Sequence, residues 1–126
     1  MVSDEILNEI KNKETLALNV LNKSKLYFKL SEIVKSHSLV LVSKLNKNGS
    51  FISNNYYSQI CITIYDKEGK SVFLKDEPNM SLEVFSDIVI QKKKKFNILD
   101  INNDFDFWEG IQFLINSILI GNYYSL

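Results

Sequence analysis

The sequence predicts an α+β fold in which helices at both ends of the chain flank an antiparallel sheet. Apolar residues follow a helical period near the N-terminus, a period of two in the central part, and a helical period again before the C-terminus. The chain has 126 residues, 45% of them hydrophobic, and only one proline. This length and composition are enough for one domain, 1–126, that buries its own core without a metal or a disulfide.

The N-terminal part of the chain is predicted to be helical. Ser3 supplies a hydroxyl cap and is followed by two acidic residues, which favour the positive end of a helix dipole. Apolar residues then recur at helical spacing, so 3–22 is interpreted as one helix or two short ones. A further helix is predicted over 31–36 with Ser31 as its cap. Residues 25–30 suit a helix or a strand equally well.

The central sheet is predicted to contain three to five antiparallel strands over about 38–75. Alternation of apolar and polar residues is clearest in 57–65, where isoleucines occupy every second position. Asn48 and Gly49 lie between apolar runs, and this dipeptide is typical of a tight hairpin turn. Residues 71–75 are predicted to return as the third strand of a meander.

The last third of the chain is predicted to leave the sheet and end in a helix. Pro78 is expected to end the block of strands. Residues 82–90 fit a helix or a strand, and 96–99 fit a short additional strand. The most distinct element is a helix over about 105–120 that begins after Asp104 and is apolar nearly all round. Such a helix is expected to be covered on more than one side.

The composition argues against several classes of partner. Fifteen acidic residues balance fifteen basic ones, and every basic residue is a lysine. Arginine supplies most bidentate contacts to phosphate and to bases, so its absence argues against a sequence-reading nucleic-acid protein. No apolar stretch reaches the length of a membrane span, and the acidic N-terminus does not resemble a secretion signal. We therefore expect a cytoplasmic protein with no membrane partner.

The residues that usually carry catalysis are few. His37 is the only histidine and Cys61 the only cysteine, so neither a histidine- nor a thiolate-based zinc site is expected. Residues 100–106 resemble the start of a calcium loop, but Phe105 stands where that loop needs glycine and Ile111 where it needs glutamate. We expect no cofactor, no metal and no enzymatic activity.

The candidate functional residues are therefore those that could contact another protein. Acidic residues gather at the start of the C-terminal helix, and tyrosines, which give large rigid contact areas, occur in pairs. The predicted partner-binding residues are Asp100, Asp104, Asp106, Glu109, Tyr56, Tyr57, Tyr123 and Tyr124.

In its small size, mixed fold class and lack of catalytic motifs, the chain resembles the small immunity proteins of bacterial toxin systems, including those of contact-dependent growth inhibition. The resemblance is to the class as a whole and rests on no shared motif. It implies a cytoplasmic, non-enzymatic inhibitor that occludes the active site of a toxin domain, commonly a nuclease with a basic active site. The acidic residues at 100–109 would then imitate phosphate.

Two other functions follow from the same residues. The apolar helix at 105–120 could pack against a second copy, which would make the protein a homodimeric structural or assembly subunit. A small enzyme that uses carboxylates is the third hypothesis, because such a site leaves no local motif.

Overall fold

The structure, a computed structural model, describes residues 3–125 and confirms the α+β fold. Three helices pack on one face of a four-stranded antiparallel sheet. The helices are α1 (Asp4–Lys23), α2 (Lys25–Ser36) and α3 (Phe105–Leu119). None of the helices in residues 3–125 is both long enough and apolar enough to cross a membrane.

The two N-terminal helices are divided at a serine that the sequence analysis did not single out. Ser3 caps α1 as predicted, with its Oγ accepting a hydrogen bond from the Ile6 N–H at 3.3 Å. Ser24 has extended backbone angles, ends α1, and caps α2 by accepting from the Tyr27 N–H at 3.2 Å. Residues 25–30 are thus helical, and the prediction that Ser31 caps a helix is wrong because Ser31 lies inside α2.

The sheet strands are β1 (Leu39–Ser50), β2 (Asn55–Asp66), β4 (Glu83–Lys92) and β5 (Lys95–Ile98), in the spatial order β1-β2-β4-β5. Two short strands, β3 (Val72–Leu74) and β6 (Tyr123–Ser125), form a separate two-stranded sheet. The ambiguous segment 82–90 is mostly strand β4. The return strand predicted at 71–75 exists as β3, but it pairs with the C-terminus rather than completing the meander, and the sheet continues beyond Pro78.

The turn between β1 and β2 begins three residues later than the turn predicted at Asn48 and Gly49. Gly49 pairs with Tyr56 inside the hairpin, and the chain reverses at 51–54, where Asn54 takes a positive φ of 55°. The ring of Phe51 packs against Tyr56 with their centroids 4.3 Å apart. The longer loop allows this aromatic contact at the end of the hairpin. The register of β1 on β2 therefore follows the packing of these rings, and not the local preference of Asn-Gly for a turn.

The inner face of the sheet forms the core with the helices. Ile60, Ile62 and Ile64 of β2 are fully buried and belong to one hydrophobic cluster with side chains from all three helices. Val40 and Val42 of β1 point to the opposite face and are exposed, as their alternation predicts.

Helix α3 lies between β4 and α2, as a strongly apolar helix requires. Gly110 allows a close approach to the sheet, because a Cβ at this position would lie 2.6 Å from Cγ1 of Val84. The burial of α3 is not complete, however. Phe113, Leu119 and Ile120, at the C-terminal half and end of the helix, keep about half or more of their surface exposed.

Candidate functional site

The first half of β4 has a free edge next to the start of α3. The short strand β5 pairs only with Val89–Lys92, so Glu83–Asp87 pair with β2 and with no other described strand. The Ile64 N–H donates to Leu82 O, and backbone direction alternates along an antiparallel strand. Phe85 and Asp87 therefore direct their backbone N–H and C=O groups away from β2, towards this open edge.

Asp104 connects this edge to α3. Its Oδ1 accepts from the Phe107 N–H at 3.1 Å and so caps the helix, while its Oδ2 accepts from the Ser86 hydroxyl at 2.6 Å. Both carboxylate oxygens therefore have partners within the protein. Asp104 positions the first turn of α3 against β4. This structural role is sufficient to account for an aspartate at this position, and no partner molecule is needed to explain it.

A groove runs along this junction and is lined by carboxylates. It consists of three adjoining depressions of about 420 to 480 Å³, each bordered by residues of β4 or α3. No lysine is among the described residues that line them. We call this feature the β4–α3 groove, and its acidic residues are Glu83, Asp87, Asp100, Asp104, Asp106 and Glu109.

Large apolar side chains stand exposed among these carboxylates. Phe85 projects from the outer face of β4 with 57% of its surface accessible. Met80 and Phe113 line another part of the groove and are about half exposed. Exposed apolar groups beside charged ones are typical of a surface that another molecule covers.

The structure brings the four predicted acidic residues together in this groove. Asp106 and Glu109 are exposed on α3, and Asp100 is exposed where it caps the short 3-10 turn at 101–103. Asp104 also borders the groove, although its oxygens are engaged as described above. The groove therefore has at least two acidic side chains on α3, Asp106 and Glu109, that carry no hydrogen bond that the fold requires.

The predicted tyrosines lie elsewhere and do not form one surface with the acids. Tyr56 was predicted to contact a partner. It is a core residue with 7% of its surface exposed, so it offers a partner little surface. Tyr57 is on the outer sheet face, where its hydroxyl accepts from Asn48 at 3.3 Å. Tyr123 and Tyr124 are half-buried in β6, which follows the opposite end of α3.

Glu83, Phe85 and Asp87 were not predicted from the sequence as site residues. Their segment was left open between helix and strand, and only a strand places these three side chains on one face. The signal available in the sequence was the alternation of polar and apolar residues at the start of this segment, which is typical of a strand. Phe113 was noted only as part of the apolar helix, and Met80 was not noted.

His37 and Cys61 both contact polar side chains within the fold. His37 Nδ1 lies 3.1 Å from the Tyr123 hydroxyl, at the end of α2. Burial raises the pKa of the Cys61 thiol, which contacts Asn46 and Gln59 on the outer sheet face. A raised pKa lowers the thiolate fraction and hence the nucleophilicity of this cysteine at neutral pH. Within residues 3–125, no three His, Cys, Asp or Glu side chains are grouped so as to hold a metal ion.

Comparison of the chain with protein-family models, with curated proteins and with solved structures gives no match. The feature of the described residues that bears most directly on function is the β4–α3 groove, which can attract cationic groups and accept apolar ones.

Proposed function

We propose that this protein binds a basic protein surface through the β4–α3 groove and blocks that surface without catalysing a reaction. The observation that carries the proposal is that exposed Phe85 lines the same depression as Glu83, Asp87 and Asp106, beside an open strand edge. An apolar anchor surrounded by charges of one sign suits a partner whose surface presents lysine or arginine around an apolar pocket.

The charge distribution supports a cationic partner. The whole chain has no net charge, but the groove is lined by carboxylates and by no lysine among the described residues. A local field of one sign steers a complementary partner during encounter and rejects partners of the same sign. The carboxylates of the groove would also compete with the phosphate groups of a substrate for a basic active site.

The open edge of β4 supports a defined orientation for the partner. Phe85 and Asp87 offer unpaired backbone groups, and an extended segment of another protein can add to such an edge as a further strand. Backbone hydrogen bonds would then fix the register, while the carboxylates and Phe85 would select the side chains.

Among proteins that act in this way, we propose a toxin-immunity function, in line with the resemblance of the sequence to that class. The target would be a bacterial toxin domain with a basic active site, such as a nuclease, and inhibition would take place in the cytoplasm. Occlusion requires no catalytic residue on the inhibitor, so the engagement of His37 and Cys61 within the fold is compatible with it.

The test is co-expression with the product of the neighbouring gene, which the proposal expects to contain a toxin domain. The variant Asp106→Lys with Glu109→Lys reverses two exposed charges of the groove and leaves the Asp104 cap intact. The matched control is Glu9→Lys with Glu32→Lys, which makes the same change in net charge on the exposed sides of α1 and α2.

We expect the groove variant to bind the toxin domain at least tenfold more weakly and to lose protection, with the control unchanged. Phe85→Ala should weaken binding as well, without changing its dependence on salt. Equal affinities for the groove variant and the control, or a neighbouring gene product that does not bind, would reject the proposal.

A homo-oligomeric assembly subunit is the second candidate function. The observation in its favour is the exposed apolar end of α3, where Leu119 and Ile120 are 54% and 76% accessible. Size-exclusion chromatography with light scattering separates the two candidates. A dimer that persists on dilution and is lost in Leu119→Lys with Ile120→Lys favours assembly, whereas a monomer favours the inhibitor.

A further inference from the structure

A second cavity lies at the other end of the sheet, away from the open half of β4. It has a volume of about 520 Å³ and is formed where the first turn of α1 meets the β1–β2 turn and the β4–β5 hairpin. We call it the hairpin pocket. Its volume falls within the range that is usual for sites that bind small molecules. The residues that bear on its chemistry are Ile6, Leu7, Phe51, Phe96, Gln91 and Lys94.

The walls of the hairpin pocket are mainly apolar and aromatic. Ile6 and Leu7 come from α1, and the rings of Phe51 and Phe96 face each other at a tilt of 52° with their centroids 6.0 Å apart. Two aromatic rings in this arrangement offer both a face and an edge to a third flat ring. The shape and composition of these walls therefore favour a planar apolar group.

Gln91 gives the hairpin pocket a buried hydrogen-bond acceptor. This side chain is 1% exposed and belongs to the lining of the hairpin pocket. Its Nε2 donates to the Lys93 carbonyl at 3.1 Å, but its Oε1 has no hydrogen-bond partner in the structure. A buried acceptor without a donor is unfavourable and uncommon in native proteins. A ligand that brought one N–H or O–H group would satisfy it.

The rim of the hairpin pocket carries positive charge. Lys94 is exposed at the tip of the β4–β5 hairpin and is part of the lining, next to three other lysines in sequence. On α1, the acidic residues Asp4 and Glu5 precede the apolar wall in the first turn of the helix. An anionic group on a ligand would therefore bind towards the hairpin and away from α1.

We propose that the hairpin pocket binds a small aromatic acid. Its ring packs against Phe51 and Phe96 on the side that faces the pocket, an N–H or O–H group donates to Gln91 Oε1, and its carboxylate lies near Lys94. This site is separate from the β4–α3 groove, so it stands or fails independently of the proposed inhibitor function.

Three related probes test each feature of the ligand. Indole-3-acetate has the flat ring, the N–H donor and the carboxylate; 1-methylindole-3-acetate lacks the donor; indole lacks the carboxylate. Each is titrated into the full-length ¹⁵N-labelled protein and followed by amide chemical shifts. We expect saturable shifts from indole-3-acetate, confined to the residues around 6–7, 51–54 and 91–96, and about tenfold weaker binding of the methylated probe, the loss typical of one unmet buried hydrogen bond.

Two variants assign the polar contacts. Gln91→Met keeps the length of the side chain but removes the acceptor, so it should bind indole-3-acetate and its methylated form with equal affinity. Lys94→Gln should reduce the preference for indole-3-acetate over indole. Thermal melting checks that both variants fold. The comparison of the two indole acids on the native protein decides the matter even where Gln91→Met does not fold.

Three results would overturn the proposal. The first is the absence of saturable shifts with all three probes, and the second is shifts centred outside the hairpin pocket. The third is equal affinity of the native protein for indole-3-acetate and its methylated form.

Discussion

The phenol of Tyr56 donates a 2.9 Å hydrogen bond to Oε2 of Glu14, a carboxylate with 4% of its surface exposed. The other oxygen of Glu14 lies 3.3 Å from the ammonium of Lys47, which is half exposed. A charge from α1 is thus held inside the core by one group from each of β1 and β2. This arrangement fixes the orientation of α1 on the sheet, and α1 in turn forms one wall of the hairpin pocket.

Substitutions in this triad should destabilise the protein in a fixed order. Glu14→Ala removes the central acceptor and leaves the buried phenol unpaired, so we expect a loss of about 2–4 kcal/mol in the free energy of unfolding. Tyr56→Phe should cost about 1–2 kcal/mol, and Lys47→Ala less than about 1 kcal/mol because that charge reaches solvent. Urea unfolding measures all three. A Lys47 variant as unstable as the Glu14 variant would contradict this order.

Stability should also fall at high pH because of Tyr56. Burial, reinforced by the hydrogen bond to Glu14 and the charge of that carboxylate, raises the pKa of Tyr56 from 10.0 to about 12. The folded state therefore holds this proton more tightly than the unfolded state. Its contribution is fully present below pH 10 and is lost as the pH rises towards 12, a change of about 2–3 kcal/mol.

The check on this pH dependence is the difference in unfolding free energy between the native protein and Tyr56→Phe, measured at pH 9 and at pH 11.5. Other groups titrate in both proteins and cancel in the difference. We expect the difference to shrink at the higher pH, and a constant difference would show that Tyr56 does not ionise differently in the folded state.

Asp104 and Asp106, two residues apart, should lose different amounts of stability on truncation. Asp104→Ala removes the α3 cap and the bond to Ser86, with an expected loss of about 2–3 kcal/mol. Asp106→Ala removes an exposed acidic side chain from the first turn and should cost less than about 1 kcal/mol. Chemical denaturation of both variants is the measurement. Similar losses would mean that Asp104 does not act as the cap.

Two glycines with the same backbone angle should differ in their tolerance of alanine. Gly49 has φ +83° and Gly69 has φ +81°, so alanine meets the same left-handed strain at both positions, about 1–2 kcal/mol. At Gly49 a Cβ would also collide with the carbonyl oxygen of Asn55, whereas nothing lies near Gly69. We expect Gly49→Ala to unfold at clearly lower urea concentration than Gly69→Ala, and equal midpoints would be evidence against the β1–β2 register.

Part of the candidate site could be predicted from the sequence and part could not. Asp106 and Glu109 lie on one helix with a clear start signal, and Asp100 precedes that helix by a few residues, so their common location was accessible from spacing alone. Phe85 and Asp87 were not, because their segment fits two periodicities and only pairing with β2 makes it a strand. The burial of Tyr56 is likewise a tertiary effect, since the identical neighbour Tyr57 faces the opposite side of the same strand.

The sequence by itself determined the features that depend on neighbours a few residues apart: the Ser3 and Asp104 caps, the alternation of β2, and the helical period of α3. The tertiary structure decided the position of the β1–β2 turn, the strand state of 83–92, the pairing of β3 with β6, and the groove. These outcomes depend on contacts between residues far apart in the chain, such as Phe51 with Phe96 and Glu14 with Tyr56. Local preferences of this kind amount to about 1 kcal/mol or less, so a buried contact that they oppose overrides them.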